Sequence, residues 1–127
     1  KDVGVICVDS GYEIHFAGAA GLDIKPTEVL GHAKTQEEVI EIVAALVQLY
    51  REQGRYLERV YKWAKRVGSD SIRAAVLNDP VRRKALHDRF VVSQKVAQVD
   101  PWAERVAGFE AHEFKPLANA DLRIAAE

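Results

Sequence analysis

Apolar and polar positions change their period once along the chain, near residue 34. Before that point the chemistry is that of strands. Val3, Val5, Ile6, Cys7 and Val8 make a short, β-branched-rich run that stops at the turn cluster Asp9-Ser10-Gly11. Tyr12, Ile14 and Phe16 then alternate with Glu13 and His15, the period of two expected of a half-buried strand. Two such runs joined by Asp-Ser-Gly predict an antiparallel hairpin. A small-residue loop, Ala17-Gly18-Ala19-Ala20-Gly21, follows, and residues 22–26 are too short a stretch to assign. Residues 29–33 predict one more extended segment, so a small sheet is expected over about residues 3–33.

From residue 35 the period becomes helical. Thr35 with Glu38 three places later is a capping box, whose side chains satisfy free N–H groups at a helix start. Val39, Ile42, Val43, Leu46, Val47 and Tyr50 then share one helical face. Gly54 falls where that face would continue and predicts a break. Leu57, Val60, Tyr61, Ala64 and Val67 read as a second stripe ending at Gly68. Ser69 is expected to cap a short helix carrying Ile72, Ala75 and Val76 on one side, to about Leu77. Asp79-Pro80 places a cap and a first helical residue at the start of the next helix, with Leu86, Phe90, Val91 and Ala97 on its apolar side to about Gln98. Asp100-Pro101 repeats the signal before Trp102. Beyond Gly108 the periodicity fades, and residues 108–127 read as an extended tail. Strands first and helices after, over 35–107, make the expected fold class α+β.

Composition narrows the function classes. The 127 residues fit one domain, and 48% hydrophobic with 29% charged is the balance of an ordinary globular chain. No apolar run approaches the roughly 18 residues of a membrane span. The chain has no methionine and enters an apolar run almost at once, so it is expected to be a piece of a longer polypeptide. Formal charge is −1, which argues against a generally basic nucleic-acid binder. The charge is uneven, however. From Arg51 to Arg89 there are 11 basic and 5 acidic residues, against 7 and 14 elsewhere. A basic helical block of this kind suits either a polyanion or a solvated helix face, and charge alone carries no specificity. The solvated face is the stronger reading, with a nucleic-acid or protein interaction module as the alternative.

Candidate chemistry is sparse. Cys7 is the only cysteine, which excludes a disulfide framework, a multi-cysteine zinc site and a self-contained iron–sulfur cluster. Its place in an apolar run predicts a small buried hydrophobe. His15, His32, His87 and His112 stand in no i, i+3 or i, i+4 relation, so no helix face offers a metal pair. His15, on the polar side of its strand, is expected to face solvent or an interface. Neither a metal ligand nor a catalytic residue is expected. The Gly18–Gly21 loop matches neither a phosphate loop nor a dinucleotide fold.

Segment order says more than any one residue. Val3-Gly-Val-Ile-Cys-Val-Asp-Ser-Gly-Tyr-Glu-Ile-His-Phe-Ala-Gly18, Thr35-Gln-Glu-Glu-Val, Tyr50-Arg-Glu-Gln-Gly-Arg-Tyr-Leu-Glu-Arg59, Trp63, Arg66-Val-Gly68, Ser93-Gln94 and Asp100-Pro-Trp102 come in an order that resembles one family. It is the large subunit of assimilatory NAD(P)H nitrite reductase, at its C-terminal end, over roughly residues 1–117. The Tyr50–Arg59 stretch is the most specific part; the hairpin is shared with sulfite reductases, the near alternative.

The resemblance implies a portion of a cytoplasmic siroheme enzyme. Such enzymes reduce nitrite to ammonia by six electrons passed from NAD(P)H through FAD and iron–sulfur centres. The family's [4Fe–4S] cluster is held by four cysteines in a Cys-x5-Cys and a Cys-x3-Cys arrangement, and the last lies just before the position of Lys1. Cys7 matches none of them, so no cofactor is expected in this chain by itself, and it is expected to be catalytically silent. The family often carries Gly-Gly-Asn-Gly-Gly where this chain has Ala17-Gly-Ala-Ala-Gly21. Backbone N–H groups of Gly18 and Gly21 are therefore the implied candidates for a cofactor edge. The implied partner is the rest of the parent chain, and self-association is expected where that partner is missing.

Overall fold

The computed structural model describes residues 1–98 and 100–108, so the tail expected over 108–127 lies, but for Gly108, outside the described residues. The chain divides into two compact units, Lys1–Lys95 and Val96–Glu127. The first opens with the predicted hairpin, β1 (Val3–Val8) against β2 (Gly11–Phe16), in a register that pairs Val5 with Ile14 and Ile6 with Glu13. β2 also pairs antiparallel with β5 (Glu28–Ala33), so β2 is the middle of three strands and β1 is an edge. A register shift at Ile14/His15 is the only irregularity of that ladder. The loop after β2 is more ordered than its composition suggests. Residues 19–20 (β3) pair with 24–25 (β4), and Ala17, left-handed at φ 60°, starts the turn away from the sheet.

Helices cover one face of the sheet. α1 (Gln36–Gln53) is capped as its sequence predicts, with Thr35 Oγ1 accepting from Glu38 N–H at 3.2 Å. Glu38 returns the favour one residue early, accepting from Lys34 N–H at 2.8 Å. The buried face is rotated slightly from the predicted stripe. Ile42, Ala45, Leu46 and Leu49 are buried, whereas Val39, Val43 and Tyr50 pack at the margin. Ala45 on that face is fully buried. Each fully buried Leu or Ile here contributes about 1.5–3 kcal/mol through loss of apolar surface from water.

α1 ends at Gly54 and α2 (Val60–Val67) begins after a six-residue corner. Leu57, placed by its spacing on the second stripe, is not helical. It stands in the corner at φ 57°, 83% exposed, because the chain must reverse there. Ser69 is likewise the first residue of α3 (Ser69–Arg73) rather than its cap. Its hydroxyl donates instead to Glu28 Oε2 at 2.6 Å, tying α3 to β5. A π-helical turn, residues 74–78, carries on from α3 and buries Ala75 and Val76 beside Ile72. The looser turn lets Leu77 reach back over Gly31 of β5. α4 (Pro80–Val96) starts as predicted, with Asp79 Oδ1 accepting from Arg82 N–H at 2.9 Å, and buries only Leu86. The core is thus Ile14, Phe16 and Leu30 from the sheet against Leu46, Trp63 and Ile72 from the helices. In the second unit α5 (Pro101–Ala107) is capped by Asp100 Oδ1, which accepts from the N–H groups of Trp102 and Ala103.

Candidate functional site

Alternation along β2 turns Ile14 and Phe16 into the core and Glu13 and His15 onto the sheet's other face. There the structure builds a polar clasp. Glu13 bridges two imidazoles, accepting from His15 Nε2 at 2.6 Å and His32 Nε2 at 3.0 Å. The other ring nitrogen of His15, Nδ1, lies within hydrogen-bond distance of the Thr27 hydroxyl at 3.1 Å. The two imidazole bonds hold the Glu13 carboxyl below its ordinary range. Spacing along the chain brought out His15 but not its partners, because Glu13 and His32 meet only through the β2–β5 register. Every donor and acceptor of the clasp named here is already matched, which suits fixing the pairing of the strands. Among the described residues no three His, Cys, Asp or Glu side chains gather as a metal-ligand set.

Cys7 corrects an expectation. It is exposed, not buried, because the last four residues of edge strand β1 run beyond the helices that cover the sheet. Val5, Ile6 and Val8 beside it are 44%, 50% and 39% exposed.

Gly18 and Gly21 are brought to the wall of one cavity of about 410 Å³, facing Arg59, Tyr61 and Lys62 of the corner and α2. Their N–H groups are occupied within the chain: Gly18 donates to Lys1 C=O at 3.0 Å and Gly21 to Asp23 C=O at 3.2 Å. Glycine at 18 is a packing requirement, since a Cβ there would lie 2.6 Å from the Thr27 methyl. Across the cavity, Tyr61 donates to Asp23 Oδ2 at 2.5 Å, which raises the phenol's pKa. Arg59 pairs with Asp2 at 2.7 Å.

The family-like stretch from Tyr50 to Arg59 proves to be architecture. Glu58 takes two bonds from Arg66, through Nε at 2.8 Å and a terminal nitrogen at 2.6 Å, and one from Arg55 N–H at 3.0 Å. Arg66 also donates to Gln53 C=O at 2.9 Å, and the Tyr50 hydroxyl donates to Glu58 C=O. Tyr50 meets Trp63 edge to face at 5.4 Å. These contacts hold the α1–α2 corner shut, and the Arg66 guanidinium first of all pulls the Glu58 carboxyl down to about 2. Four more cations of the basic block are similarly engaged: Arg73 with Asp70, Arg83 with Glu41, Lys84 with Asp88 and Arg89 with Glu52.

Comparison with known proteins follows the same lines. The family described as the nitrite and sulphite reductase 4Fe-4S domain matches residues 1–84. Nitrite reductase [NAD(P)H] of Bacillus subtilis (strain 168) is 39% identical over 104 residues, 82% of this chain and 13% of that protein. Nitrite reductase (NADH) large subunit of Escherichia coli (strain K12) is 24% identical over 97% of this chain and 15% of its own length. Nitrite reductase [NAD(P)H] of Emericella nidulans is 27% identical over 98% of this chain and 12% of its own length. The chain therefore spans a small part of each of these relatives. No solved structure matches it with comparable significance. A four-iron cluster takes four thiolates; this chain has one, on an exposed edge strand, so its residues do not fit that group. With that one departure, and on the match over residues 1–84, the chain belongs to the nitrite and sulphite reductase 4Fe-4S domain family.

Proposed function

We propose that this chain is the C-terminal structural portion of a cytoplasmic siroheme and [4Fe–4S] nitrite reductase, which takes electrons from NAD(P)H through FAD and converts nitrite to ammonia. In this reading residues 1–107 complete the siroheme domain, residues 108–127 form a tail, and the cluster cysteines belong to the polypeptide preceding Lys1. The isolated chain is a scaffold without catalysis of its own. The observation that carries the reading is a well-packed domain of this family with a single, exposed cysteine. Nitrite is preferred to sulfite as substrate because the relatives bear nitrite reductase names. The carboxylates that engage the basic block favour a scaffold over a polyanion-binding module.

The implied partner is the remainder of the parent polypeptide, lying against β1. That edge strand carries no charged residue and no proline to discourage pairing. The isolated chain is accordingly expected to self-associate, most simply as a two-fold dimer through β1, and sedimentation over a range of concentrations measures it. A chain that stays monomeric throughout would remove this part of the reading.

The deciding experiment is the coding sequence upstream of Lys1 together with reconstitution of the 127-residue chain. Cysteines in Cys-x5-Cys and Cys-x3-Cys spacing are expected upstream. Incubation of the purified chain with siroheme, iron and sulfide is expected to leave no stoichiometric visible chromophore after desalting. An upstream sequence without those cysteines, or a chromophore retained by the isolated chain, would overturn the proposal.

A further inference from the structure

The cavity between the β3–β4 turn and the start of α2 has an electrostatic character that the scaffold role leaves unused. Its cationic side is Lys1, Arg59 and Lys62; Asp23 is the one carboxylate in its wall. Asp23 is engaged by the Tyr61 hydroxyl, and Arg59 is held in place by Asp2. Lys62 rests over the Tyr61 ring at 5.7 Å, so its ammonium is positioned by an aromatic face and by no carboxylate in that contact. The helix behind these residues adds to the same sign. α2 has no acidic residue in its first turn and no side-chain cap, and its N-cap is Arg59 itself. The positive end of the helix dipole therefore meets no carboxylate of α2 itself; the acidic groups near it are Asp23, on Tyr61, and Asp2, on Arg59. The opposite wall is backbone and small side chains from residues 18–21, which let a ligand approach closely, with Leu22 at the rim.

We propose that this cavity binds an anionic group, a carboxylate or a phosphate, of a small ligand. The cationic side chains, Arg59 held by Asp2 and Lys62 by the Tyr61 ring, are set around the opening before any ligand arrives, so binding would cost little rearrangement. The cavity of the 127-residue chain carries the inference, which uses no step of the scaffold reading.

The test is an amide-resolved NMR titration of the 127-residue chain with inorganic phosphate and, separately, with citrate, each against sodium chloride at matched ionic strength. Saturable shifts confined to residues 18–23 and 59–62 are expected with at least one of the two anions. Phosphate alone would mark a phosphate-bearing ligand, citrate alone a carboxylate-bearing one, and both an anion site without that choice; all three support the proposal. Lys62→Gln, on an exposed side chain, is expected to weaken binding about tenfold, the loss expected for one charge-assisted contact. Gly21→Asp, where an added Cβ meets nothing within 4 Å, is expected to abolish binding while the rest of the spectrum is retained. Shifts no larger than those of chloride, shifts spread over Lys65 and Arg82 as well, or unchanged affinity in both variants would overturn it.

Discussion

Gly31 of β5 offers a direct test of how the helices are seated on the sheet. Its φ is not in the left-handed region, so alanine is permitted by the backbone, and its pairing with Ile14 involves main chain only. What glycine provides is room. A Cβ at this position would lie 2.7 Å from one Leu77 methyl and 3.2 Å from the other, well inside van der Waals contact. Leu77 belongs to the π-helical turn, whose backbone is fixed by the buried neighbours Ala75 and Val76, so the side chain must change rotamer. Overpacking of this kind costs about 1–3 kcal/mol. Replacing glycine recovers about 0.4–1 kcal/mol by narrowing the unfolded ensemble. Leu77 is only half-buried and can swing partly outward, which draws the clash toward its lower bound. Gly31→Ala is therefore expected to destabilise by up to about 0.6 kcal/mol, the difference of those two terms. In a Leu77→Ala background the same change should be neutral or stabilising. Urea melts followed by far-UV circular dichroism on the four proteins of the cycle measure the coupling. An equal cost of Gly31→Ala in both backgrounds would refute the contact, and with it the seating of the π-turn over β5.

Leu46→Ala, at the centre of the buried face of α1, should cost about 2–5 kcal/mol, and Val43→Ala on the margin clearly less; equal losses in denaturant melts would mean the helix is rotated from the position described. Leu57→Gly should stabilise by up to about 1 kcal/mol, since glycine adopts the left-handed corner without a Cβ penalty and Leu57 buries little; Leu57→Ala should bring no such gain in the same melts. Glu58 has its pKa lowered to about 2 from an ordinary 4.5, so its stabilising contribution is full above 4.5 and is lost as pH falls toward 2. Over that window the melting temperature of Glu58→Gln should fall less steeply than that of the unmodified chain, and parallel curves would show that the Arg66 pairing carries no stability.

Local chemistry in the sequence decides a great deal here. The hairpin follows from alternation and Asp-Ser-Gly, α1 from its capping box, and α4 and α5 from Asp-Pro starts, because each signal is complete within a few neighbouring residues. The family is legible in the order of those segments, and the single cysteine alone tells that this chain does not by itself supply the four thiolates of a four-iron cluster. Leu57, Ser69 and Cys7 misled because their roles depend on what lies opposite. Leu57 has helical spacing but sits where the Glu58–Arg66 clamp turns the chain, Ser69 finds Glu28 across 41 residues, and Cys7 is apolar in a strand that outruns its covering helices. The same holds for the Glu13 clasp and for the cavity at Gly18 and Gly21. Strand register and a helix end bring their members together, and no spacing along the chain encodes which residues a register or a packing interface will face.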